Sequence, residues 1–91
     1  MPIRVLLYED NDPLRQAFAM LIGGTPGYEL AGAFVHADDI IHQASALKPD
    51  VILMDLEMPG HGGIWATQQI HRHLAGIEVL ILTVFDDDDT V

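Results

Sequence analysis

Acidic side chains follow two apolar segments of the sequence directly. Ile3–Tyr8 runs into Glu9 and Asp10, and the apolar run 51–54 ends at Asp55. If these segments are neighbouring strands of a parallel sheet, the three carboxylates lie in one crevice beyond the strand ends. Carboxylates that close repel one another, so the crevice needs a cation or bound protons. Because the chain offers oxygen ligands and no cysteine, the fitting ion is Mg²⁺, which takes one or two carboxylates together with waters and phosphate oxygens.

Apolar segments and helical patterns alternate along the chain. The predicted strands are residues 3–8, 28–34, 51–54 and 79–82. Apolar residues recur at helical spacing after each of the first three strands, which predicts three helices. This alternation predicts an α/β fold, in which helices cover both faces of a parallel sheet. An acidic run follows the fourth strand and looks like the start of a fourth helix.

The ends and the inward faces of the helices can also be predicted. Asp12 is a natural N-cap of the first helix, with Pro13 in its first turn, and Asp38 or Asp39 can cap the second helix. The inward-facing residues are expected to be Leu14, Ala17, Phe18, Leu21 and Ile22 in the first helix, Ile40 or Ile41, Ala44 and Leu47 in the second, and Ala66, Ile70 and Leu74 in the third.

Length, charge and composition exclude several classes of protein. The chain has 91 residues, which predicts a single domain over residues 1–91. Fourteen acids against four Lys and Arg give a net charge of −10, so direct binding of nucleic acid by this segment is not expected. The apolar runs are far shorter than the roughly 20 residues that cross a bilayer. Zero cysteines fit a cytosolic protein, and we predict a cytoplasmic location without membrane contact.

Three motifs together resemble a known family. They are YEDNDPLRQAF (residues 8–18), VILMDLEMPG (51–60) and LTVFDDDD (82–89). In order and spacing they are similar to the receiver domain of bacterial two-component response regulators. The ending is similar to the LuxR/NarL type, which usually carries a C-terminal helix-turn-helix output domain. The resemblance covers the whole chain and implies a flavodoxin-like three-layer sandwich with strand order 2-1-3-4, the fifth strand and last helix being absent from this chain.

The resemblance also implies a role for each site residue. Asp55 would be the phospho-acceptor, which takes a phosphoryl group from a sensor histidine kinase and later loses it, without turnover of a separate substrate. Asp10 and Asp55 would bind Mg²⁺ directly, together with the backbone carbonyl of Glu57, and Glu9 would act through a water. The hydroxyl of Thr83 would bind a phosphoryl oxygen and move inward, which switches the surface that controls the output domain.

A truncated domain is a further implication of the resemblance. In the family a lysine on a later strand pairs with the phosphoryl group, whereas the only lysine here, Lys48, precedes the third strand and lies about 20 Å from Asp55. Strand 79–82, interior in the family, becomes an exposed edge that can pair with another chain. We therefore expect either that the chain is a fragment of a longer protein or that it completes itself as a homodimer or a domain-exchanged oligomer. The alternative function is a phosphorylation-independent dimerisation or interaction module.

Other residues that could bind ligands have plainer interpretations. His71 and His73 are two positions apart, so on a helix they point in different directions and cannot chelate together. His61 lies in the loop after the third strand and is expected to be exposed to solvent. Trp65 is expected to pack against the fold, and the acidic run 86–89 is expected to favour a helix N-terminus.

Overall fold

Four strands and three helices alternate along residues 1–82, which are the residues that this computed structural model describes. Their bounds are β1 (Ile3–Tyr8), α1 (Asp12–Gly23), β2 (Tyr28–Phe34), α2 (Ile40–Leu47), β3 (Val51–Asp55), α3 (Gly62–His73) and β4 (Glu78–Leu82). The predicted alternation is confirmed. β3 and β4 each extend one residue further than predicted, so that β3 ends on Asp55 itself. Within residues 1–82, no helix combines the length and the apolar character needed to span a membrane.

The strands form one parallel sheet in the order β2-β1-β3-β4. This is the order that the family resemblance implies. Tyr8, the last residue of β1, lies opposite Met54 of β3. The next residues, Glu9 after β1 and Asp55 at the end of β3, therefore lie side by side at the carboxyl edge of the sheet. Main-chain register, rather than a contact between side chains, brings the two acids together.

The main hydrophobic core lies between one face of the sheet and helices α2 and α3. Alternate residues of β1 and β3 point into it because side chains alternate between the two faces of a strand. Its buried members are Leu6, Tyr8, Ala37, Ile40, Ala44, Ile52, Met54, Ala66 and Ile70. The predicted inward faces of α2 and α3 are thereby confirmed, with Leu47 and Leu74 half-buried against the same core.

Tyr8 closes this core at the carboxyl edge of the sheet. Its side chain is fully buried, and its ring stacks on Phe34 with the ring centroids 5.3 Å apart. The hydroxyl donates a hydrogen bond of 2.8 Å to Oε1 of Gln43 on α2. Burial raises the pKa of the Tyr8 hydroxyl, so it remains a donor. The hydrogen-bonded hydroxyl of Tyr8 thus lies between the apolar core and the acidic edge of the sheet.

Helix α1 covers the opposite face of the sheet and packs on β1 and β2. Ile22 is buried and Phe18 is half-buried, as predicted. Ala17 and Leu21 are exposed, Leu21 to 65%, so the prediction of an inward position is wrong for these two residues. The helix lies over β1 and β2, and within residues 1–82 no element covers the side of α1 that carries them.

Both predicted N-caps differ in detail from the structure. Asn11, not Asp12, caps α1: its extended backbone lets Oδ1 accept from the Leu14 N–H at 3.0 Å. Asp12 is instead the first residue of the helix. Asp39 occupies the N-cap position of α2 but makes no capping hydrogen bond, and the Asp38 carboxylate is engaged elsewhere.

Strand β4 forms an edge of the sheet in the described part of the chain. It pairs with β3, and its side chains Leu80 and Ile81 are 54% and 42% exposed. This agrees with the predicted exposed edge. Lys48 ends α2 ahead of β3, at the amino edge of the sheet, whereas Asp55 lies at the carboxyl edge.

Candidate functional site

Three carboxylates meet at the carboxyl edge of β1 and β3, as predicted. Glu9 and Asp10 follow β1 and Asp55 ends β3. One carboxylate oxygen from each lies within 4.8 Å of the other two. The arrangement follows from the strand register described above, because it places the ends of β1 and β3 next to each other.

The three acids differ sharply in burial. Glu9 is 2% exposed, Asp55 is half-buried and Asp10 is exposed. Burial raises the pKa of Glu9, and the neighbouring carboxylates of Asp55 and Asp10 add to the rise, so that the pKa reaches about 7 although the hydrogen bond from the Asn11 N–H lowers it. Near neutral pH the cluster therefore retains a proton, and a cation would relieve the same repulsion.

An open cleft of about 440 Å³ gives access to these acids. Its lining residues are Glu9, Asp10, Asn11, Leu14, Asp55, Leu56, Glu57 and Leu82. The Glu57 N–H donates to Oδ1 of Asp55 at 3.3 Å. The oxygen atoms, the buried acid and the room in the cleft together suit a hard divalent cation. Glu57, whose backbone carbonyl is expected to bind Mg²⁺, is one of the residues that line the cleft.

Helix α3 packs directly behind Asp55 because its second residue is a glycine. A Cβ on Gly63 would collide with the Asp55 carbonyl oxygen and lie 2.9 Å from the Leu56 Cα. The Gly63 N–H also donates to the Leu56 carbonyl at 3.2 Å. The backbone that carries Asp55 is therefore held from behind by the start of α3.

Sequence reasoning missed a cation that supports the site from α1. The Arg15 guanidinium donates to the backbone carbonyl of Glu9 at 3.1 Å and pairs with Asp12 at 2.6 Å. The available signal was the spacing of Asp12 and Arg15, three apart on a helix, where side chains meet. Arg15 ties the first turns of α1 to the loop that carries Glu9.

Other predicted residues lie away from the cleft or outside the described range. Thr83 and the acidic run 86–89 lie outside the described residues. His61 is exposed, as expected, and does not line the cleft. Trp65 is half-buried against the main core, also as expected.

Comparison with known proteins decides the family. The family model of the response regulator receiver domain matches residues 5–91. The chain belongs to this family. Receiver domains of response regulators work with histidine kinases in two-component systems, which is the class of function that the resemblance of the three motifs implied.

The curated relatives that this chain resembles include transcriptional regulators and response regulators. It is 43% identical over 89 residues to the transcriptional regulatory protein LiaR of Bacillus subtilis, which covers 98% of the chain and 42% of LiaR. It is 36% identical over 86 residues to the response regulator GacA of Pseudomonas aeruginosa, covering 94% of the chain and 40% of GacA. The chain thus spans about two fifths of the length of these relatives.

Solved structures confirm the fold and the LuxR type. A LuxR-family response regulator from an Aurantimonas species superposes with a TM-score of 0.85 at 30% identity, covering 94% of this chain and 61% of that one. A LuxR-family DNA-binding response regulator from Staphylococcus aureus gives a TM-score of 0.83 at 27% identity, covering 97% of this chain and 73% of that one. The strand order 2-1-3-4 and the flavodoxin-like layers therefore agree with the family.

Proposed function

We propose that this chain is a phospho-accepting receiver domain, organised as one domain over residues 1–91, in which Asp55 takes the phosphoryl group. The observation that carries the proposal is the position of Asp55. Its carboxylate is half-buried at the end of β3 and opens on the cleft beside Glu9 and Asp10. A carboxylate fixed at a strand end and still accessible is suited to act as a nucleophile.

The transfer step follows from this geometry. A carboxylate oxygen of Asp55 attacks the phosphorus of a kinase phosphohistidine, an O–P bond forms, and the P–N bond breaks. The leaving imidazole takes up a proton, and the product is an acyl phosphate on Asp55. The Glu57 N–H, 3.3 Å from Oδ1 of Asp55, holds one carboxylate oxygen so that the other can face the incoming group.

Mg²⁺ is the cofactor that fits the acids, and when bound it would neutralise charge on the transferring group. Asp10 and Asp55 would hold it directly with the backbone carbonyl of Glu57, while Glu9 would act through a water. The proton that Glu9 retains near neutral pH would have to leave when the cation binds. For Thr83, the proposed role is to donate its hydroxyl to a phosphoryl oxygen.

The test is phosphorylation with a small donor. The chain is incubated with Mg²⁺ and acetyl phosphate, and intact mass and peptide mapping locate the adduct. Asp55→Asn should abolish it, because the amide is not a nucleophile. Asp50→Asn is the matched control, since Asp50 lies just before β3 at its other end and binds the Arg4 N–H. An adduct that survives Asp55→Asn refutes the assignment of the acceptor.

The proposed context is a cytoplasmic signalling protein that receives its phosphoryl group from a sensor histidine kinase. Phosphorylation would shift an existing conformational equilibrium and so change the surface that controls a DNA-binding output domain. With a net charge of −10, this segment is not expected to bind nucleic acid itself.

A second candidate function is a phosphorylation-independent interaction module. The observation that favours it is strand β4, which lies at an edge of the sheet within residues 1–82 and has exposed Leu80 and Ile81 side chains. Such an edge can pair with another chain, giving a homodimer or a domain-exchanged oligomer. Size-exclusion chromatography with light scattering tests it: a monomer at all concentrations excludes self-association through this edge.

A further inference from the structure

Asp38 ties the loop between β2 and α2 to the loop between β3 and α3 (residues 56–61, here the β3–α3 loop). Its Oδ1 atom accepts two hydrogen bonds from His61, one from the backbone N–H and one from ring Nδ1, both at 3.0 Å. The backbone N–H of His61, followed by its ring, lowers the pKa of Asp38. Because an ionised carboxylate only accepts hydrogen bonds, Nδ1 of His61 carries the proton.

The same contact is close-packed on two further sides. A Cβ on Gly60 would lie 2.5 Å from both carboxylate oxygens of Asp38, and Gly60 has a φ of +82°. The His61 ring stacks on Trp65, with the ring centroids 4.3 Å apart and the planes 25° apart. The end of the β3–α3 loop is therefore held by the Asp38 carboxylate, which can approach because residue 60 is a glycine, and by the ring of Trp65.

The other end of this loop touches the acidic cleft. The Glu57 N–H donates to Asp55, and Leu56 accepts from the Gly63 N–H at 3.2 Å. Leu56 and Glu57 also line the cleft. The loop is short, so fixing its far end at Asp38 restricts the conformations open to Glu57 at its near end.

From these contacts we infer that Asp38 is a positioning residue for the acidic site: it holds the β3–α3 loop so that the Glu57 N–H meets the Asp55 carboxylate. The inference deepens the proposed function and rests on it for its link to phosphorylation. Asp38 itself does not touch the cleft. It acts by pre-organisation, because a loop already ordered loses less conformational freedom when ligands bind beside it.

Three variants of the full chain test this role. Asp38→Ala removes the acceptor of both hydrogen bonds, whereas Asp38→Asn keeps an acceptor oxygen and loses the charge. Asp39→Ala is the control, because Asp39 is adjacent, acidic and exposed, and its carboxylate faces His42 of α2 at 3.5 Å rather than the β3–α3 loop. The measurements are amide hydrogen exchange at His61 and Glu57, fluorescence of Trp65, the single tryptophan of the chain, and Mg²⁺ affinity by titration.

Asp38→Ala should speed exchange at both amides, change Trp65 fluorescence, and weaken Mg²⁺ binding about three- to tenfold, which is the range for the loss of one ordinary hydrogen bond. Asp38→Asn should restore protection at His61 and most of the Mg²⁺ affinity. Asp39→Ala should match the unmodified chain. A residue that served only overall stability would instead change exchange throughout the sheet.

Two results overturn the inference: exchange at Glu57 that does not change in Asp38→Ala, or equal changes in Asp38→Ala and Asp39→Ala. Failure of the proposed function looks different. If the unmodified chain takes no phosphate on Asp55, the proposed function is wrong, while exchange at Glu57 still decides the role of Asp38. If Asp55 is phosphorylated normally and the Glu57 amide is indifferent to Asp38→Ala, the inference alone is wrong.

Discussion

Gly63→Ala tests whether helix α3 really holds the backbone of Asp55 from behind. The new Cβ would collide with the Asp55 carbonyl oxygen and come within 2.9 Å of the Leu56 Cα and 3.0 Å of the Asp55 carbonyl carbon. All three neighbours are backbone atoms, so no side chain can rotate away. The start of α3 or the end of β3 must therefore move.

The size of the effect can be estimated from two opposing contributions. Overpacking in a tight site costs about 1–3 kcal/mol, and we expect the upper part of that range because the obstacle is backbone. Replacing glycine by alanine in a helix returns about 0.5–1 kcal/mol. The net loss of about 1–2 kcal/mol should lower the melting temperature by at least about 4 °C in a chain of this size.

Thermal unfolding followed by circular dichroism measures this change, with Gly23→Ala as the matched control. Gly23 is the last residue of α1, and an added Cβ there meets no atom within 4 Å. The control should therefore be neutral or slightly stabilised. Equal melting temperatures for the two variants would show that α3 does not press on the end of β3, and the account of how Asp55 is held would be wrong.

Three other substitutions have definite expected outcomes. In EDTA, the free energy of unfolding should fall as the pH rises from about 4.5 through about 7. The pKa of Glu9 is raised in the folded protein, so the folded state binds an extra proton at low pH and loses it over this range. Glu9→Gln should remove this dependence in thermal unfolding measured across the same pH range. Tyr8→Phe should cost about 1 kcal/mol in urea unfolding, because Gln43 loses its buried donor. Asn11→Ala should also cost about 1 kcal/mol, since it removes the cap of α1. A larger loss in Asp12→Ala than in Asn11→Ala would restore the original capping prediction.

Much of the fold was predictable because its signals are local or follow from general rules of chain topology. Apolar runs and helical spacing located every strand and helix in residues 1–82. The acidic cluster followed from the rule that sites in parallel sheets lie beyond the strand carboxyl ends, together with the strand order that the resemblance supplied. These signals involve many residues at once, so an error at one position changes little.

The features that sequence reasoning missed depend on single positions or on distant contacts. Asn11 and Asp12 are both good N-caps, and only the backbone conformation at Asn11 decides between them. The exposure of Leu21 depends on which strands α1 covers, and its own helical spacing carries no such information. The contact of Asp38 with His61 joins residues 23 positions apart in two loops. No periodic pattern links such positions.

Because β1 pairs with β3, the stability of the fold and the spacing of the acids at the site can change independently of each other. The lateral distance between the strands that carry Glu9 and Asp55 is set by main-chain hydrogen bonds at about 4.8 Å, with Tyr8 opposite Met54. Substitutions in the core can lower the fraction of folded molecules, but in those that remain folded this spacing is unchanged. For the proposed Mg²⁺ site, discrimination between ions of different radius should therefore persist in variants whose core is destabilised, and interior residues could change without altering it.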